Sequence, residues 1–229
     1  MSNQRRGSLL KELPMLVAVA VIVSIIIKTF LVQFFYIPSG SMENTLLVND
    51  RVAVNKLGNF FSEVDRGDVV VFRDTAGWLP EESSDFGSGL RDRFREALVF
   101  IGILPDPAKQ YLIKRVIGVG GDRVVCCDKD SKLTINGIAI DEPYIFPGDK
   151  ASDSEFDVTV PDGFIWVLGD HRGASADSRF HRDDANEGFV PLSAVTGRAV
   201  AIVWPIKNIT FLSRYDGLVP DPASGDSEK

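Results

Sequence analysis

The sequence predicts a mainly β fold: an antiparallel β domain preceded by one transmembrane helix. Three observations carry that reading. Short runs rich in β-branched residues, closed by Gly, Asp or Pro, recur along most of the chain. Asn136-Gly137, flanked by KLTI and IAI, is the dipeptide that suits a type I′ hairpin turn. One long apolar segment, MLVAVAVIVSIIIKTFLVQFFYI, stands near the N-terminus.

Taken in order, residues 1–14 form an N-terminal tail, and residues 15–37 form the anchor. At about 1.5 Å per residue, roughly 23 helical residues cover the ~30 Å hydrocarbon core. Only Ser24, Lys28, Thr29 and Gln33 interrupt the segment, and Lys28 lies where its ammonium can snorkel to the interface. The run is long and no A-x-A pattern closes it, so it reads as a retained anchor rather than a cleaved leader. Arg5, Arg6 and Lys11 precede it, against Arg51 and Lys56 soon after, a bias that places the N-terminus in the cytoplasm and the long domain outside.

Residues 38–215 form the β-rich domain. Its strands are read at DRVAVNKL (Asp50 to Leu57), DVVVF (Asp68 to Phe72), YLIKRVIGV (Tyr111 to Val119), DRVVCC, the KLTI/IAI hairpin, FDVTV, FIWVLGD and VTGRAVAIVW. An insert at 74–110 breaks the pattern. Leu90, Phe94 and Leu98 recur in it at helical spacing, which predicts a helix covering the core or, alternatively, resting on the bilayer surface. The tail at 216–229, DGLVPDPASGDSEK from Asp216 onward, reads as disordered.

A net charge of −7 argues against nucleic acid as a partner, which would require clustered Lys and Arg. The two cysteines, Cys126 and Cys127, are adjacent. A trans peptide spaces Cα atoms about 3.8 Å apart, closer than an ordinary disulfide allows. The pair is therefore expected as two half-buried thiols, any bridge being a vicinal one. With two histidines and no spaced cysteine pairs, a zinc site is not expected.

Hydrolytic chemistry needs a nucleophile, a base and donors for an oxyanion. His171 and His181 are the only histidines and no G-x-S-x-G elbow exists, so a Ser/His/Asp site is poorly supported. A neutral lysine can serve instead if apolar surroundings disfavour its ammonium. On strand alternation Lys114 shares a face with Leu112 and Val116, while Ile113, Arg115 and Ile117 point the other way. Lowering a lysine pKa by roughly 3 units costs about 4 kcal/mol, which a chain seldom carries without use. A lysine at a sheet edge reaching water is the competing reading.

In PSGSM, Pro38 restricts the bend and Gly40 permits an unusual conformation, so that the Ser41 hydroxyl and N–H can face one way with the Ser39 hydroxyl beside them. By itself the stretch is a weak signal, and small polar residues after an apolar segment are usually an ordinary loop. GDHRGASADSR packs Asp170, Arg172, Ser175, Asp177, Ser178 and Arg179 around two glycines, a solvated turn or part of a site. Ser8-Leu-Leu-Lys11 matches an S-x-x-K pattern but precedes the anchor and lacks the motifs that accompany it.

In this order, the anchor, IPSGSMENTL, DVVVF, YLIKRVIGVGGD, LGDHRGASADSR and GRAVAIVWP closely resemble the type I signal peptidases of bacteria, from Leu16 to about Pro205 apart from the insert. The resemblance implies a signal-peptidase-like β domain and a membrane-anchored serine endopeptidase that removes signal peptides from exported preproteins. It implies Ser41 as nucleophile, Lys114 as general base, and Ser39 with Ser41 as the oxyanion hole. Ser175 would orient the lysine, and Asp177 and Arg179 would hold its loop. Ile37, Pro38, Met42, Leu46 and Ile113 would line shallow pockets for small residues at −1 and −3, the peptide binding as an added strand at the bilayer surface. No cofactor is implied. This chain departs from the family pattern at Asn44, where Pro is frequent, at Val119-Gly120, where Leu-Pro is, and at His171, where Asn is. Loss of the proline at 44 is expected to loosen the bend.

Two rival functions are a self-cleaving Ser/Lys repressor-type protease and an inactive membrane-anchored β domain for binding or assembly. The first resembles DNA-binding proteins where this chain has an anchor. The second predicts damage to the serine and lysine, which are both present.

Overall fold

The computed structural model describes residues 12–17, 19, 22–23, 31–56, 63–80, 89, 93 and 110–218. Twelve strands among them form two antiparallel sheets. The larger contains β1 (Val32–Tyr36), β2 (Arg51–Asn55), β3 (Val69–Arg73), β4 (Tyr111–Val119), β9 (Phe164–Leu168), β10 (Val190–Pro191), β11 (Val195–Trp204) and β12 (Thr210–Phe211). Its order is β1-β2-β11-β3-β4-β9-β10, with β12 on β11. The smaller contains β5 (Arg123–Cys126), β6 (Leu133–Ile135), β7 (Ile138–Ala139) and β8 (Phe156–Thr159), in the order β7-β6-β5-β8.

The alternation read in the sequence accounts for most of these strands. The hairpin between β6 and β7 turns on Asn136 and Gly137 at φ +54° and +85°, the two left-handed positions that a type I′ turn requires. One apolar cluster lies between β1, β2, β3 and β11, built on Phe35, Val52, Val54, Val69, Val71 and Ile202. A second joins the smaller sheet to β4 and β9 around Ile117, Leu133, Ile135, Trp166 and Leu168. Strand β4 thus reaches from one cluster toward the other, with Lys114 and Arg115 buried between its ends.

Four expectations are corrected. The last part of the proposed anchor, Val32–Tyr36, is strand β1, paired with β2 from Val32 opposite Asn55 to Tyr36 opposite Arg51. Phe35, and Ile37 just beyond the strand, are buried in the domain core while Phe34 and Tyr36 are exposed, and hydropathy alone does not tell such a run from a membrane segment. Among the described residues no helix is long and apolar enough to cross a membrane. Those described between 12 and 23 are helical, and residues 18, 20–21 and 24–30 of the proposed span lie outside the description. The tail does not begin at Asp216: the turn Asp216–Leu218 packs Leu218, wholly buried, into the second cluster. Residues 219–229 lie outside the description, as does most of the predicted helix in the insert. Finally, Cys126 and Cys127 are joined as a vicinal disulfide across a cis peptide, their Cα atoms 3.0 Å apart. The free-thiol reading assumed the wider spacing of a trans bond.

Candidate active site

Strand β1 ends at Tyr36, and the chain turns before β2. Within the turn Glu43 N–H donates to Gly40 C=O, and the N–H groups of Thr45 and Leu46 donate to Met42 C=O. Met42 and Leu46 are wholly buried and Ile37 nearly so, all in the first apolar cluster. These three apolar plugs fix the turn, and Ser41 between them is carried into the interior at 7% exposure.

Lys114 comes from the middle of β4, opposite Val70 on β3. Its Nζ lies 2.8 Å from Ser41 Oγ, hydrogen bonded to it, and the residue is only 3% exposed. Burial lowers its pKa from 10.5 to about 8, against an upward pull from the carboxylates of Asp177 and Asp170. The amine is thus available in its neutral form near neutral pH. Among the described residues the Ser41 N–H donates to no backbone carbonyl. Ser39 is exposed at the start of the same turn.

The third motif closes the site from behind. Asp177 and Arg179 form a buried bidentate pair at 2.8 and 2.9 Å, and Asp177 also accepts the Gly169 N–H at 3.0 Å. Arg179 donates further to Arg172 C=O. The pair therefore staples the end of β9 to the loop that follows it. A Cβ on Gly169 would lie 2.2 Å from Ser175 Oγ and 2.5 Å from Ser41 C=O, so only glycine lets the two serines flank this backbone. Ser175 Oγ is buried without a hydrogen-bond partner among the described residues, so the expected bond to the lysine is not formed in this state.

Of the pocket residues, Ile113 is half-buried and Pro38 exposed, whereas Ile37, Met42 and Leu46 lie beneath them in the core. Asn44 overturns the expectation of a loosened bend. It sits at φ +83°, which proline cannot adopt, and its amide donates to Tyr144 C=O at 3.0 Å and Ile145 C=O at 3.2 Å.

Sequence reading missed a second buried pair. Arg115 grips Asp170 through Nε at 2.8 Å and Nη2 at 2.6 Å, donates to Gly67 C=O, and lies 4.0 Å from the centre of the Tyr144 ring. Thr45 donates to the same Asp170 carboxylate. This network ties β4, the serine turn and the end of β9 together just behind Lys114. The available signal was strand alternation, since an arginine facing inward on β4 requires an acidic partner.

A lysine amine on a serine hydroxyl, inside an antiparallel β domain and backed by a buried Asp/Arg staple, is an arrangement with the chemical groups of a serine hydrolase. Comparisons with known proteins give the family. A family model described as signal peptidase, peptidase S26, matches residues 10–204. The chain is 41% identical over 220 residues to "Signal peptidase I" of Mycobacterium tuberculosis, covering 87% of this chain and 74% of the relative. It is 37% identical over 231 residues to "Probable signal peptidase I" of Mycobacterium leprae, covering 89% and 79%. A crystal structure of a signal peptidase I from Enterococcus faecalis shows a partial likeness, with 24% identity, a TM-score of 0.37, and coverage of 60% of this chain and 97% of that one. The chain belongs to the signal peptidase family, peptidase S26.

Proposed function

We propose that this signal peptidase removes N-terminal signal peptides from exported preproteins with Ser41 as nucleophile and Lys114 as general base, cutting after small-x-small sequences. The observation that carries the reading is the buried Lys114 Nζ, with its lowered pKa, 2.8 Å from Ser41 Oγ. Neutral Lys114 takes the Ser41 proton as Oγ attacks the scissile carbonyl carbon. The oxyanion is held by the Ser41 N–H and the Ser39 hydroxyl. The C–N bond then breaks, and the Lys114 ammonium gives its proton to the leaving amine. Water attacks the acyl ester with Lys114 again as base, and the signal peptide departs with a free carboxylate. Ser175 Oγ, buried and unpartnered beside this pair, is suited to accept from the ammonium once it forms.

The substrate strand has a place to bind. Strand β4 pairs with β3 along Tyr111 to Arg115, but with β9 only from Arg115 onward. The edge of β4 ahead of Lys114 therefore suits an added peptide strand, with Ile113 and Pro38 forming shallow apolar walls over the buried Ile37, Met42 and Leu46. Small side chains at −1 and −3 match such depth.

The chain is read as a single-pass membrane protein, with its N-terminus cytoplasmic and the catalytic domain outside. With β1 assigned to the domain, Met15 to Leu31 remain for the span, about 17 residues, the lower end of what a bilayer needs. Beside the exit of that segment the register places Phe34 in a row with Ala53, Ala201 and Phe211, and Tyr36 in a row with Arg51 and Trp204. Phe34, Tyr36, Trp204 and Phe211 are all exposed, with Ile206 and Ile209 between β11 and β12, an apolar surface suited to the interface of a bilayer.

The test is cleavage of a preprotein bearing a small-x-small site by the full chain reconstituted in lipid vesicles. Wild type is expected to remain with the vesicles through alkaline extraction and to release the mature protein, while Ser41→Ala and Lys114→Met do not cleave. Substantial cleavage by either variant contradicts the dyad. Loss of the chain from the vesicles contradicts the anchor.

A further inference from the structure

The turn carrying Ser41 is held on one side by the site and rests on its other side against residues 142–149. Two side chains make that second contact. The Asn44 amide donates to both Tyr144 C=O and Ile145 C=O, from a left-handed backbone that asparagine tolerates better than most residues. The His171 ring stacks on Phe146 with centroids 4.1 Å apart and planes 18° from parallel. Its Nδ1 lies 3.3 Å from Gly40 C=O and 3.3 Å from the Glu43 carboxylate, and its Nε2 lies 3.9 Å from the Asp149 carboxylate. The His171 backbone N–H meanwhile donates to Ser41 C=O at 3.1 Å.

The surface they dock on is itself fixed. Phe146 N–H donates to Asp170 C=O, Asp149 accepts the Gly173 N–H at 3.0 Å, and Glu142 pairs with the buried Arg172. We propose that Asn44 and His171 are positioning residues, which clamp the nucleophile turn onto residues 144–149 and so hold Ser41 Oγ at attacking distance through turnover. Neither touches the reacting atoms. Both act by placement, and reaction rates fall steeply when a nucleophile strays from its near-attack geometry.

The proposal rests on Ser41 being the nucleophile, and its test separates the two ideas. With the full chain in detergent and a signal-peptide-bearing preprotein, kcat and KM are measured separately and kcat is expressed per folded molecule. Asn44→Ala and His171→Ala are each expected to lower kcat about tenfold or more with KM within about twofold of wild type, because the substrate edge is untouched while the nucleophile moves. His171→Asn, which keeps a donor near the position of Nδ1, is expected to recover most of the loss. A merely structural role would lower the melting temperature and the folded fraction while leaving kcat per folded molecule intact. Asn44→Gly, which suits the left-handed backbone, removes the same amide and keeps the test readable if an alanine variant does not fold. Alanine variants within twofold of wild-type kcat, or a His171→Asn variant no better than His171→Ala, overturn the clamp. Cleavage by Ser41→Ala would instead overturn the assignment of the nucleophile.

Discussion

At the scale of one residue, Lys114 is a lysine held where its charge is disfavoured. Its charged form is disfavoured by burial, and the fall in pKa from 10.5 to about 8 corresponds to about 3 kcal/mol. The folded state binds that proton less readily than the unfolded state does. The cost is therefore fully present below about pH 8 and fades as pH rises toward 10.5. Lys114→Met, which fills similar space without charge, is expected to be more stable than wild type by up to about 3 kcal/mol at pH 6. The margin should shrink above pH 8, as urea denaturation at several pH values would show. Equal or lower stability of the variant at pH 6 would mean that the amine is not strained. Alternation in YLIKRVIGV made this lysine legible, since its neighbours on one face are aliphatic. The same alternation placed Arg115 on the opposite face without revealing Asp170 as its partner, because that pairing joins residues 55 positions apart.

At the scale of elements, the site is a meeting of three ends: the turn after β1, the middle of β4 and the loop after β9. Gly169 is where they approach most closely. Gly169→Ala would push a methyl into both Ser175 and Ser41 C=O, with no flexible side-chain end able to yield on the Ser41 side. It is expected to lower kcat/KM at least a hundredfold, with a stability loss of about 1–3 kcal/mol from overpacking. Preprotein cleavage and thermal melting of the purified variant check it. Near-normal activity would mean that the backbone there relaxes freely. Long strands were readable, β11 because one-sided burial imposes its period on the sequence and β4 because a run of β-branched and apolar residues is buried on both faces. Strand β1 was not, since its residues continue an apolar run without a break in composition. The two-residue strands β10 and β12 carry too few positions for any period. Leu218 escaped notice because one buried leucine in a polar tail has no local pattern.

For the whole molecule, the order of elements accounts for the placement of the chemistry. The chain enters the domain through β1, whose Tyr36 stands in a row with Arg51 and Trp204, and the turn carrying Ser41 follows at once. The remainder of the fold supplies what a short turn cannot provide alone: the buried Lys114 amine from β4, a staple from the loop after β9, and a second rest at residues 144–149. Sequence motifs named the chemical groups, while the supporting contacts, Arg115 on Asp170 and Asn44 on residues 144–145, belong to distances that only the folded chain creates. The central claim is that a desolvated Lys114 serves as the base for Ser41, and the pH dependence of kcat/KM for preprotein cleavage tests it most directly. The account predicts that kcat/KM rises about tenfold per pH unit and levels off above about pH 8, where the amine is neutral. A rate that keeps rising until near 10.4, the value of a free lysine, would contradict it.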